Sequence, residues 1–364
     1  MKLFTSESVT IWHPDKICDQ ISDAILDSCL EQDKYSRVAI ECLITTNKLV
    51  IAGEITSKAN VDYEAIARKV ICDIGYDDDK KYFNGKTCEV EVLVHRQSPD
   101  IAQWVDIWGA GDQWIMFWYA TNESPDFMPL SIYLAHRLTK KLREFRESGE
   151  DYLLPDGKSQ VTVEYDDDNR VKRVDTIVIS TQHTEEVKNE TLREVIIANI
   201  IKPVCWEYMD DKTKIYVNPT WRFVVWWPAG DTWVTGRKII VDTYWGMWRH
   251  WGWAFSWKDP TKVDRSWAYI ARNIAKSIVA KGWCNDCEVQ LWYAIWVAEP
   301  VSILITGTRK DWHTQEEAEQ FVRDNYDLTP KGIIETLDLR KPIYRKTAEN
   351  WHFWNEEFSW EKVK

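Results

Sequence analysis

Apolar residues recur at four-residue steps after Pro14, at Ile17, Ile21, Ile25 and Cys29, a spacing that predicts a helix with His13, Asp15 and Lys16 at its N-terminus. A helix N-terminus suits phosphate. The period then changes to two. RVAIECLITT and KLVIAGEIT read as strands joined at Asn47 and Lys48 like a hairpin. Ile66, Val70, Ile71 and Ile74 mark a second helix ending at Gly75, and TCEVEVLVH at 87–95 reads as a strand. Residues 97–108 follow neither period and read as a loop. Beyond it the pattern predicts a long helix over 128–147, then QVTVEY and VDTIVIST paired around an Asp168-Asn169 turn, and a helix over 185–201. The last third predicts a helix at 261–281, strands at 287–297 and 301–306, and a helix near 314–325. Each third mixes hairpins with helices able to cover one sheet face, so the fold class is α+β. No direct repeat between the thirds is visible.

Length supports this division, since 364 residues exceed one typical domain and predict two or three. A hydrophobic share of 45% fits a globular chain. The net charge of −12 argues against general nucleic-acid binding and against an anionic membrane surface. MKLFTSESVT lacks the apolar run of a signal peptide and no stretch reaches the length of a membrane span, so a cytoplasmic location is expected. Eight scattered cysteines are then expected as reduced thiols. Cys284 and Cys287 form a lone CxxC, which reads as small core residues at the start of a strand rather than a zinc or redox pair.

Against the acidic background, residues 230–265 stand out: Arg237, Lys238, Arg249, Lys258, Lys262 and Arg265 crowd together with Asp231, Asp259 and Asp264. Taken alone such a run has a second, weaker reading as a solvated charged loop. Cations interleaved with carboxylates also suit a polyphosphate held with Mg²⁺. The context decides between them. HPDK at 13–16, GEIT at 53–56, QSPDIAQ at 97–103, GAGDQ at 109–113, PDGKSQVTVEY at 155–165 and RKPIYRKTA at 340–348 occur in this order around the charged stretch. On these motifs nearly the whole chain resembles the S-adenosylmethionine synthetases (methionine adenosyltransferases) of bacterial type.

The resemblance implies three similarly folded sheet-plus-helix domains around a pseudo-threefold axis, at 1–98, 109–227 and 228–364, with 99–108 a mobile active-site loop. It also implies a homodimer, often paired into a homotetramer, with active sites between two subunits. The implied reaction joins ATP and L-methionine: the thioether sulfur attacks C5′ and expels triphosphate, which is hydrolysed to pyrophosphate and phosphate. Carried over by motif, His13 faces the leaving oxygen. Lys16, Lys158, Arg237, Lys238, Lys258 and Lys262 supply positive charge, and Lys262 also lies near methionine. Asp156, Gly157, Arg222, Phe223, Asp231 and Ala254 join the ATP site. Glu54, Gln97, Asp112 and Asp231 fall at methionine positions. Asp15 and Asp264 are the implied ligands of two Mg²⁺ per site, and Glu41 that of K⁺.

One departure is systematic. Tryptophan stands where the family pattern has glycine at positions 12, 104, 114, 118, 221, 226, 227, 233, 245, 248, 251, 253, 257, 296, 351 and 354, whereas Trp360 matches a family tryptophan. The chain has only 14 glycines and 23 tryptophans; glycine at those positions raises the share to roughly 8%, close to the ordinary value of about 7%. Ile11 also replaces the acidic residue usual before the glycine that precedes HPDK, and Trp12 replaces that glycine. UGA codons that mean glycine, read as tryptophan, account for all the glycine replacements together. Indoles crowded over 245–257 are expected to strain turns or block the ligand, so the chain as written is expected to fold poorly and have little activity. Two other classes fit less well. A catalytically impaired relative serving as a structural or regulatory subunit would lose charged ligands first, and here the losses fall on glycine. A ligase forming an acylphosphate would release ADP or AMP.

Overall fold

The computed structural model describes residues 2–79, 83–96, 114–220, 223–224, 231–295, 297–308, 314–353 and 355–364. The expected loop at 99–108 lies outside them, as do Gln97, Asp112 and Arg222.

Three sheets, each covered by a helix, make up the described fold. The first has the order β4-β3-β2-β9, from Glu89–His95, Lys48–Thr56, Arg37–Thr45 and Trp233–Val234. Helix α1 (Pro14–Gln32) packs on it, with α2 (Tyr63–Asp73) alongside. The second sheet runs β1-β6-β7-β8, from Lys2–Val9, Leu153–Tyr165, Val171–His183 and Lys214–Val217, under helix α3 (Leu130–Glu147). In the third, β11-β10-β5 (Ser302–Thr306, Asp286–Tyr293, Trp114–Thr121) packs against helix α5 (Val263–Ala280). Helix α4 (Asn189–Ile196) precedes β8, and short helices α6 (Gln315–Asn325), α7 (Pro330–Thr336) and α8 (Tyr344–Glu349) finish the chain. The architecture is α+β in three units.

Each sheet borrows a strand from a distant part of the chain. β1 pairs with β6, β5 with β10, and β9 with β2, all antiparallel. These exchanges tie the units together and bring the motifs into contact.

Local chemistry explains most boundaries. Pro14 opens α1 with its φ already fixed, and the His13 ring caps it by accepting the Asp15 N–H at 3.2 Å. Asp62 caps α2, which ends at Gly75 with φ 106°. The hairpin turn holds Asn47 at φ 53°, and the β6–β7 turn holds Asn169 at φ 58°, a region asparagine tolerates. β6 begins at Leu153, so the PDGK motif lies within the strand, and its register with β7 shifts between Leu153 and Gly157. The helix expected over 185–201 starts at Asn189 and widens into a π turn at Ile197–Ile201 just ahead of Pro203, which has no N–H to give the helix. The eight cysteines form no disulfide, and Cys284 and Cys287 are buried core residues. No helix among the described residues is long and apolar enough to cross a membrane.

Candidate active site

Pairing of β1 with β6 sets Val9 opposite Lys158, and the next residue continues the contact, Thr10 N–H donating to Gly157 O at 2.9 Å. The chain then turns into α1. His13 is thereby fixed beside the Asp156-Gly157-Lys158 segment of β6. Its ring is fully buried and its Nε2 has no hydrogen-bond partner. Burial, then the charges of Lys238, Lys158, Lys16 and Arg237, hold its pKa well below 6.5, so the ring is neutral. Because Nδ1 accepts the Asp15 N–H, the proton of the neutral ring belongs on Nε2, which is left with a donor to offer.

Asp15 accepts the Val234 N–H at 3.0 Å and pairs with Lys238 Nζ at 2.5 Å. Asp156 is buried with neither carboxylate oxygen in hydrogen-bonding geometry, and burial pushes its pKa up to about 7 against the pull of Lys158. Lys158 is 38% exposed and its nearest carboxylate, Glu7, is 3.8 Å away. Phe223 is held beside this segment: His183 N–H donates to Phe223 O at 3.0 Å, while Gln182 bridges the Val224 carbonyl and the Asp156 N–H.

The segment after β9 completes this first cluster. Gly236 has φ 79°, and a Cβ there would come within 2.7 Å of the Ala254 methyl, so only glycine lets these two strands of chain approach. Trp233 meets His13 edge-on at 4.9 Å, with Arg237 and Lys238 over its ring at 5.7 and 5.6 Å. Asp231 stands exposed at the rim, its carboxylate accepting the Thr232 N–H.

A second cluster forms where Lys258 bridges to Ala39 of β2. Lys258 is 2% exposed and pairs with Asp264 at 2.9 Å; burial lowers its pKa against that carboxylate. Lys262 reaches Asp259 at 2.5 Å and Val38 O at 3.1 Å. Glu41 and Glu54 share one face of the β2–β3 pair, and burial raises the pKa of Glu41 despite the nearby Lys258. Lys258 Nζ lies 4.8 Å from the Trp257 ring and 5.2 Å from that of Trp253. The cavity left beside Asp264, lined by Met116, Trp251 and Trp253, measures about 20 Å³, room for one water.

Lys16 departs from its expected place among the substrate-facing cations. Its ammonium is buried and satisfied by Asp242 at 2.8 Å and Asp19 at 3.3 Å; burial alone would lower its pKa, and these carboxylates instead hold it raised. The family motif made Lys16 a site residue, but its position on α1 points it inward. Sequence reasoning also passed over Asp19, Asp23 and Asp27, which repeat the Asp15 position at four-residue steps. That spacing was the available signal.

No three or more His, Cys, Asp or Glu side chains converge as a metal cage among the described residues. Asp15 and Asp264 each stand beside a lysine. Single carboxylates of this kind hold Mg²⁺ together with substrate phosphates, so the donor set fits that mode.

The described fold is thus α+β in three units, with a buried histidine set among cations and carboxylates. Residues 1–99, 107–223 and 225–362 match in turn the N-terminal, central and C-terminal domain models of S-adenosylmethionine synthetase. The chain is 52% identical over 369 residues to an S-adenosylmethionine synthase of Sorangium cellulosum (strain So ce56), covering 99% of this chain and 87% of that one. It belongs to the S-adenosylmethionine synthetase family.

Proposed function

We propose that this chain makes S-adenosylmethionine from ATP and L-methionine by attack of the thioether sulfur on C5′, releasing triphosphate that is then hydrolysed to pyrophosphate and phosphate. The observation that carries this reading is His13: a neutral, buried ring with its Nε2 donor unpartnered, among Lys158, Arg237 and Lys238. Methionine supplies the nucleophile, so the protein needs none. Its task is to align two substrates and stabilise charge on the leaving oxygen. His13 Nε2–H donates to that oxygen, and the lysines and Arg237 neutralise the triphosphate. Asp156 and Phe223 flank the same segment and suit the nucleoside end. Lys262, Glu54 and Asp231, with Gln97 and Asp112, are assigned to methionine. Asp15 and Asp264 would hold two Mg²⁺ per site and Glu41 a K⁺; the metals supply charge neutralisation on the phosphate oxygens.

Two separate clusters in one chain favour sites completed by a partner subunit, in a homodimer or homotetramer. The sequence division at 1–98, 109–227 and 228–364 and a cytoplasmic location belong to the same reading; the three matched domain ranges support the division. As written, the chain sets Trp253 and Trp257 against Lys258, so the proposal applies to the chain with glycine at the sixteen positions. That protein, given Mg²⁺ and K⁺, is expected to convert ATP and methionine into S-adenosylmethionine, pyrophosphate and phosphate. ADP or AMP as the nucleotide product would rule the assignment out.

A further inference from the structure

Helix α1 carries a column of four aspartates one turn apart, Asp15, Asp19, Asp23 and Asp27, and each accepts a main-chain N–H from the last third of the chain. Asp15 takes Val234 at 3.0 Å and Asp19 takes Gly236 at 2.8 Å. Asp23 takes Trp257 at 3.3 Å, and Asp27 takes Tyr344 and Arg345, both at 2.8 Å. The middle rungs have further partners. Asp19 lies 3.3 Å from Lys16, which Asp242 also holds. Asp23 receives both arms of Arg265 at 2.8 Å and the Ser256 hydroxyl at 2.9 Å, and Arg265 in turn donates to Lys258 O at 3.1 Å. Asp19, Asp23 and Arg265 are all fully buried.

The donors sit next to the cations assigned above to triphosphate. Gly236 immediately precedes Arg237 and Lys238. Ser256 and Trp257 immediately precede Lys258, and Arg265 follows Asp264. A flexible loop would have to order these charges around each substrate; hydrogen bonds to buried carboxylates on a helix fix them beforehand. We propose that Asp19 and Asp23 are positioning residues for the triphosphate site: they set the main chain beside Arg237-Lys238 and beside Lys258, while Asp27, the same kind of rung, serves the fold alone. Every donor to Asp19 and Asp23 is a main-chain N–H or a side chain other than an indole, so the column is the same with glycine at 257.

This inference rests on the proposed triphosphate site, and its test separates the two. In the full-length chain with glycine at the sixteen positions, binding of inorganic tripolyphosphate with Mg²⁺ is measured by calorimetry for the parent, K158A, D19N, D23N and D27N, with the melting temperature of each. Turnover and the KM for methionine are measured alongside. D19N and D23N are expected to lose tenfold or more in tripolyphosphate affinity and in turnover with the methionine KM little changed, since a misplacement of about 1 Å can cost a hundredfold. D27N is expected to melt lower and to keep parental affinity and turnover. Should D19N or D23N fail to fold, S256A decides for Asp23, which then carries the inference alone: loss of one donor to Asp23 is expected to weaken tripolyphosphate binding by at least about threefold in a folded protein. Parental affinity in folded D19N and D23N, or in S256A where it decides, overturns the inference, as does an equal loss in D27N. If the parent does not bind tripolyphosphate, or K158A binds it unchanged, the site reading itself fails.

Discussion

Trp245 has φ 48° and Trp257 φ 75°, where a side chain with a Cβ is strained by about 1–2 kcal/mol and glycine is not. Both are among the sixteen positions read as glycine, and Trp257 also lies against Lys258. Their neighbours differ. Trp248 stacks on Tyr119 at 4.2 Å, Trp118 is buried beside Phe255 and Phe353, and Trp351 stacks on His136 at 3.8 Å. Trp251 and Trp253 are half exposed, with the positive φ falling on Gly252 between them. Among the described tryptophans the expected strain therefore concentrates at 245 and 257. Positive φ alone is not diagnostic, because Phe127 has φ 58° and is outside the sixteen. A shared codon is the sharper criterion. Peptides of the native protein spanning 245 and 257 are expected to carry glycine by mass spectrometry, and W245G and W257G are each expected to raise the melting temperature. Tryptophan in both native peptides would end the codon explanation.

Strand β6 exposes a consequence of burial that the motif PDGK did not reveal. Asp156 has a folded pKa of about 7 against an ordinary 3.8, so the folded protein binds a proton there that the unfolded chain has released. Its favourable contribution is complete below about pH 4 and is lost as pH rises through 7. D156N cannot ionise. The melting temperature of D156N relative to the parent, without ligand, is therefore expected to climb between pH 5 and pH 8; a difference flat across that window refutes the buried-acid assignment. For α1, the Ile17-Ile21-Ile25-Cys29 stripe and the Pro14 start were legible because they depend on local spacing. The aspartate face was equally regular but reads as solvent-facing until its partners are known. The partners are remote: Gly236, Trp257 and Tyr344 reach α1 only through the fold. The same limit hid β9, two residues long, and the strand exchanges, since period identifies a strand without naming its neighbour. Motifs named the candidate residues, yet the inward turn of Lys16 and the gathering of the described candidates into two clusters depend on tertiary packing.

Across the whole molecule the two clusters hang from one helix. Asp15 and Asp19 hold the chain around Lys238, and Asp23 that around Lys258; from Asp15 to Asp23 is about 12 Å along α1. Every residue of the helix between these rungs is buried, so it does not bend to bring them together, whereas reacting atoms must be held at about 3–3.5 Å and their charges must converge. In a twofold dimer the same pair of surfaces meets twice, so the His13 cluster of one subunit can face the Lys258 cluster of the other at both sites. This arrangement makes a specific prediction for mixed subunits. K158A impairs the first cluster and K262A the second, so a homodimer of either has two damaged sites. A dimer with one chain of each has both lesions in one site and none in the other. Random equal mixing is expected to restore about one quarter of parental turnover, because half the dimers are mixed and each has one intact site. If each chain carried a complete site of its own, every site in the mixture would keep one lesion. Turnover no higher than the average of the two variants would then remove the shared site from the proposal.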